Sequence, residues 1–161
     1  ALREGKSTLY EGGIREPLIA KYPGKIPTGK ICHEPTISCD FYPTFREILS
    51  LNKDPEQEID GVSIWSLMKK PSDSLKRNTF FWHYPLEKPH FLGGRSSGAI
   101  REGDWKLIEF FDTDEIELYN LADDIGEQNN LAEEYPDIRQ TMLGKLRNWR
   151  KELGAQMNNE Q

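Results

Sequence analysis

Cysteine is scarce in this 161-residue chain. Cys32 and Cys39 are the only two, too few for a disulfide framework, and no zinc-ligand spacing surrounds them even with His33 beside the first. They read as ordinary thiols and leave the redox compartment open. Long apolar runs are lacking too. No stretch approaches the roughly 18 residues of a membrane span, and no N-terminal segment has the order of a signal peptide. There is no initiator Met either: Ala1-Leu2-Arg3-Glu4 reads as a start cut from within a longer chain. What is present is a globular composition, with 36% hydrophobic and 30% charged residues and seven Phe, six Tyr and four Trp. The length suits one ordinary domain, or a small domain with part of another. The net charge of −6 is uneven: residues 1–30 carry six Lys and Arg against three Asp and Glu, and residues 111–161 carry five against twelve. A basic start suits an anionic ligand, while the acidic end argues against nucleic acid as a partner.

Three stretches separate on pattern. Pro17 and Pro23 bracket the short apolar run Leu18 to Tyr22, which predicts a strand. A helix is expected from Asp40 to about Leu51, with Asp40 as N-cap, Pro43 in the first turn, and Phe41, Phe45, Ile48 and Leu49 on one face; the polar stretch Asn52 to Asp60 ends it. The charged, Pro-containing run from Lys69 to Ser74 marks a domain boundary. Beyond it the period becomes two. Thr79–Tyr84, Ser97–Arg101, Trp105–Phe111 and Ile116–Asn120 are strand candidates, and the short links at 102–104 and 112–115 favour antiparallel neighbours. Pro136 opens a last helix, whose Ile138, Met142, Leu146, Trp149 and Leu153 form one stripe before Gly154 stops it; the stripe is expected to cover the sheet, and the tail to fray. The first 70 residues therefore read as one strand followed by one helix. Residues 75–161 read as a small α+β unit, a four-stranded antiparallel sheet with a C-terminal helix.

Gly5-Lys6-Ser7 suggests a phosphate-binding loop, but such a loop needs a helix directly after its lysine. Gly12, Gly13 and Pro17 follow instead, and two adjacent glycines and a proline will not sustain one. A nucleotide role is rejected.

The run Gly5-Lys6-Ser7-Thr8-Leu9-Tyr10-Glu11-Gly12-Gly13-Ile14-Arg15-Glu16-Pro17, with Tyr22-Pro23-Gly24-Lys25-Ile26 after it, resembles the second signature of the sulfatase family. Further pieces continue the resemblance in order: Asp40-Phe41-Tyr42-Pro43-Thr44, Asp60-Gly61-Val62-Ser63, Phe81-Trp82-His83-Tyr84-Pro85, Ala99 to Ile108, Glu117 to Leu121 and Asp123 to Ala132. It implies the C-terminal portion of an enzyme of the alkaline-phosphatase-like superfamily that hydrolyses aryl or carbohydrate sulfate esters, in a periplasmic or secreted setting, with residues 1–70 as the C-terminal part of its large α/β catalytic domain and residues 75–161 as its small C-terminal subdomain.

By that resemblance Lys6 contacts a sulfate oxygen, a task its mobile point charge suits. Glu11 and Arg15 hold the loop's shape. His83 would lie near the mouth of the active site, where it serves either substrate or structure. Arg95, with His90 and the Gly93-Gly94 pair, lies on a loop able to shape the leaving-group pocket. The family's formylglycine arises from Cys/Ser-x-Pro/Ala-x-Arg, which neither cysteine matches. Ser97-Gly98-Ala99-Ile100-Arg101 matches by accident on a strand. No acidic cluster near Lys6 resembles a calcium site. This chain alone is therefore expected to bind no cofactor and hydrolyse nothing, calcium and formylglycine belonging to the parent enzyme. An unpartnered strand at Leu18–Tyr22 and a bare helix face predict association with an N-terminal partner portion, oligomers or aggregation. The alternative is a non-catalytic module that binds sulfated glycans, or a scaffold, using Lys6, His83 and Arg95 without turnover.

Overall fold

A computed structural model describes residues 1–52 and 56–157. Part of the predicted polar segment after the first long helix (53–55) and the end of the predicted frayed tail (158–161) lie outside them. The chain divides into two compact units, Ala1–Glu16 with Asn78–Gln161, and Pro17–Arg77.

In the first unit, alternation of apolar and polar residues builds the sheet. Strands β1 (Thr79–Tyr84), β2 (Ser97–Glu102), β3 (Trp105–Phe110) and β4 (Ile116–Asn120) pair antiparallel in sequence order. Register sets each face: Phe81, Ile100, Leu107 and Leu118 align across the strands, and Trp82, Ala99, Ile108 and Glu117 align on the other side. A two-residue connection joins β2 to β3, opened by Gly103 at φ +60°.

Helix α4 (Pro136–Glu152) lays Met142 and Leu146 on Ile100, Leu107 and Leu118, with Ile138 and Trp149 half-buried at the margin. Trp149 stacks on Phe81, centroids 4.9 Å apart and planes 9° from parallel. Full burial of each of the two central side chains contributes about 1.5–3 kcal/mol. Leu153, expected on the same stripe, is exposed instead: the helix ends at Glu152, and Gly154 at φ +59° turns the chain away.

The opposite face is covered by the N-terminal segment. Leu9 and Tyr10 join Ala99, Ile108, Phe110, Tyr119 and Leu121 in one core. Residues 1–16 thus pack with the sheet, a grouping that differs from the division expected near residue 70. The reason is physical: period-two patterning locates the sheet but does not say which distant segment covers its second face.

In the second unit Leu18–Tyr22 forms no strand, and Ile19 is 90% exposed. An apolar run between prolines becomes a strand only when a neighbouring edge pairs with it, and no described residue does so. Helix α2 (Phe41–Ile48) forms as predicted, though it starts one residue later and ends three earlier, and Phe41, Phe45 and Leu49 are exposed. Asp40 does not cap it through its side chain. That buried carboxylate accepts Ile37 N–H at 2.9 Å and Val62 N–H at 3.0 Å, and forms a two-pronged pair with the Arg77 guanidinium, both contacts 2.6 Å. Thr44 Oγ1 donates to Asp40 O (2.6 Å) and accepts from Ile64 N–H (2.9 Å), tying the helix to the segment before α3 (Trp65–Lys69). Gly61 makes the closest approach, since a Cβ there would stand 2.1 Å from Cys39 O.

Burial raises the Asp40 carboxyl, but the Arg77 bonds and the two backbone N–H groups outweigh it and hold the group below its ordinary value. A depressed carboxyl contributes stability above the pKa of the unfolded chain, about 3.9, and loses it as pH falls through the folded value. Asp40→Ala is expected to cost this unit about 3–5 kcal/mol and to flatten its acid unfolding below about pH 4, as read by denaturant titrations across pH.

Candidate functional site

Lys6 stands on a strap that folds back on itself. Gly12 N–H donates to Arg3 O at 3.0 Å, and Thr8 Oγ1 donates to Gly5 O at 2.9 Å. Both glycines of the pair are required by close approach. A Cβ on Gly12 would meet Arg3 O at 2.3 Å, and one on Gly13 would meet Thr8 O at 2.2 Å. The pair sits inside a single helical turn, α1 (Glu11–Ile14). No helix follows Lys6 directly, as expected; this turn begins five residues after it and gives it no helix N-terminus. Glu4 (φ 53°) and Ser7 (φ 80°) flank Lys6 in the left-handed region, which non-glycine residues seldom occupy. Lys6 itself is exposed.

Two sets of charges fasten the strap to the sheet. Arg3 donates to Tyr119 OH (2.7 Å) and to Glu127 O (2.8 Å), and its guanidinium lies 4.0 Å from the Tyr10 ring centroid. Tyr10 OH donates to Glu117 at 2.7 Å; burial, reinforced by that carboxylate, pushes the phenol well above its ordinary value. Deeper in, Lys106 is fully buried, with its ammonium 3.0 Å from Glu11 Oε1 and 2.8 Å from Glu127 Oε1. Glu127 Oε2 accepts Glu11 N–H (2.6 Å), and Arg15 Nε donates to Glu11 Oε2 (2.6 Å). Burial is the largest influence on both carboxyls and raises both. At Glu11 the Lys106 and Arg15 charges outweigh it and hold the group below its ordinary value. At Glu127 burial prevails, aided by the Glu11 charge, and the group sits above.

Of the three site residues read from the sequence, the structure brings Arg95 to the strap's side of the sheet and sets His83 on the other. Gly94 abuts the strap, since a Cβ there would meet Ser7 O at 1.9 Å. The Arg95 guanidinium lies 3.9 Å from the Phe110 ring centroid and contacts Asp112 (3.0 Å), Glu115 (3.0 Å) and Thr113 (2.7 Å), which fixes it to the β3–β4 turn. His83 aligns with Gly98 and Glu109 on the α4 face, where its Nε2 donates to Gln156 O at 2.8 Å.

Ser97, first residue of the accidental formylglycine-like string, is buried on β2 and donates to Arg95 O. Cys32 and Cys39 are free, and burial followed by the Asp40 charge pushes the Cys39 thiol up, away from thiolate chemistry. Among the described residues no group of three or more His, Cys, Asp or Glu is placed to hold a metal ion. Lys106 went unnoticed in the sequence although a signal was there. Period two puts it on the same face as Ile108 and Phe110, where a charge is buried only when paired.

The candidate site thus rests on a four-stranded sheet covered on one face by a helix and on the other by a lysine-bearing strap. Residues 5–152 match the family described as N-sulphoglucosamine sulphohydrolase, C-terminal, and the chain belongs to that family. A protein of Formosa agariphila named sulfatase is 39% identical over 160 residues, covering 92% of this chain and 29% of its own length. The N-acetylglucosamine-6-O-sulfatase of Bacteroides thetaiotaomicron is 33% identical over 135 residues, or 78% of this chain and 23% of that protein. Among solved structures, one determined with its substrate D-glucosamine-2-N,6-O-disulfate aligns with a TM-score of 0.67 and 27% identity, over 81% of this chain and 27% of that one. The chain spans less than a third of each of these proteins.

Lys106→Met removes the shared cation and leaves Glu11 and Glu127 buried against each other. Chemical denaturation is expected to show a loss of about 3–5 kcal/mol, and adding Glu127→Gln should recover part of it by removing one of the two facing charges.

Proposed function

We propose that this chain is the C-terminal part of a sulfatase that hydrolyses sulfate esters of carbohydrates, and that Lys6 is its contact with the ester's sulfate group. One observation carries the reading. Lys6 is an exposed ammonium held between two left-handed residues, on a strap locked by glycine contacts and buried ion pairs. Left-handed non-glycine backbone is costly, and it persists where a surrounding structure and a task require it. The names of the Bacteroides thetaiotaomicron relative and of the substrate in the solved complex, both sulfated glucosamine derivatives, support carbohydrate sulfates as the substrate class.

The chemistry asked of Lys6 is simple. As the S–O bond to the leaving group weakens, negative charge gathers on the bridging oxygen. An ammonium already positioned there donates a hydrogen bond that strengthens with that charge. Arg95 and the Gly94 contact serve as positioning elements for the adjoining turn, and His83 serves the α4 face. The one string that matches the formylglycine precursor begins at Ser97, buried on β2, and within this reading the remainder of the polypeptide supplies both the formylglycine and the calcium. The same reading leaves the 161-residue chain inactive by itself.

The test is turnover of 4-nitrophenyl sulfate and of a 6-O-sulfated glucosamine oligosaccharide by the full-length gene product. Lys6→Ala should lower kcat on both by about 10²–10³-fold, with Lys6→Arg intermediate and the melting temperature unchanged because the side chain is exposed. Unaltered turnover in Lys6→Ala would remove the proposal.

A further inference from the structure

The turn between β1 and β2 is built more firmly than a surface connection needs to be. Its stem is closed by Leu86 N–H donating to Ser96 Oγ (2.9 Å) and Phe111 N–H donating to Ser96 O (2.9 Å). Its tip is closed by His90 N–H donating to Gly94 O (2.7 Å) and Gly93 N–H donating to His90 O (2.8 Å), with Gly93 at φ +97°. Gly94 lies against Ser7 O, and Arg95 is clamped by the β3–β4 turn. This fixed frame points two large apolar side chains outward: Phe91 is 87% exposed and Leu92 49%. One exposed Phe is ordinary on a protein surface. This one is set on a braced tip that touches the residue after Lys6.

Chemistry and reach agree on what would cover it. Leu92 N–H donates to His90 Nδ1 at 3.2 Å, so the neutral ring carries its proton on Nε2. The His90 and Phe91 rings adjoin, 4.5 Å between centroids and 31° between planes. An aromatic face beside an imidazole donor matches a pyranose, whose C–H face is apolar and whose rim carries hydroxyl acceptors. Phe91 is three residues from Gly94, at most about 11 Å of chain, a span that one or two sugar units bridge.

We infer that the turn His90–Gly94 is a saccharide platform, with Phe91 stacking on the sugar that carries, or adjoins, the sulfate held at Lys6. The inference rests on the reading of Lys6 above and extends it to the leaving group. It concerns binding alone: the platform meets the sugar equally in ground and transition states, so its loss should appear in KM and leave kcat in place.

The experiment compares Phe91→Ala and Phe91→Trp with the wild-type full-length gene product, on a 6-O-sulfated glucosamine oligosaccharide and on 4-nitrophenyl sulfate. Phe91→Ala is expected to raise KM for the oligosaccharide about fivefold, the size of one aromatic contact. Its kcat, and both constants for the aryl sulfate, should stay within twofold, and Phe91→Trp should restore the oligosaccharide KM. Equal effects on the two substrates, no effect on either, or a large fall in melting temperature on changing so exposed a residue would each overturn the platform. A wild type that turns over neither substrate sinks the Lys6 reading and the platform with it. Loss of both activities in Lys6→Ala, beside an indifferent Phe91→Ala, sinks the platform alone.

Discussion

One buried ammonium organises the first unit. Lys106 rises from the third strand into the buried interior, and two carboxylates from different parts of the chain meet it there. An unpaired cation in that position would be prohibitive, and the carboxylates would be equally so without it. Each of the three groups therefore compels the others' placement. Glu11 brings the strap, Glu127 brings the segment after the last strand, and their contact through Glu11 N–H closes the triangle. Hydrophobic burial of Leu9 and Tyr10 supplies attraction without direction. The ionic triangle supplies the direction, and with it the position at which Lys6 is presented.

The second unit uses the same device with the signs reversed. Asp40 is a buried anion surrounded by donors: one guanidinium and two backbone N–H groups. Thr44 passes the connection on to Ile64. The Asp-x-x-Pro-Thr and Asp-Gly-x-Ser strings thus form one structural knot, and their residue types follow from it: a carboxylate to gather donors, a hydroxyl that gives and takes, and a glycine where two backbones touch.

The sheet and its helix were legible because their signals are local. Alternation located all four strands within a residue, and the 138–142–146–149 stripe identified the face of α4 that is buried. Lys6 was legible only through its thirteen-residue context, as no periodicity singles out an exposed lysine. What failed to show was whatever depends on distant partners. Leu18–Tyr22 has the composition of a strand and no edge to pair with among the described residues. Leu153 continues the stripe by spacing but falls beyond the helix end. Asp40 stands where an N-cap would, and spends its carboxylate on Arg77, thirty-seven residues away. Period two marked Lys106 as facing inward, but its partners Glu11 and Glu127 and the strap's docking are invisible one segment at a time, since an ion triangle is a property of three segments together.

Gly94 has a corollary for how such a protein can diversify. The only substituent tolerated against the Ser7 carbonyl is a hydrogen atom, so the junction between turn and strap resists change. The residues ahead of the brace, Glu87 to Pro89, are solvent-facing and can be rewritten without touching the His90–Gly94 bonds that hold that junction. Variation is thereby confined to the outer part of the turn, and the place where Lys6 is presented is left as it was.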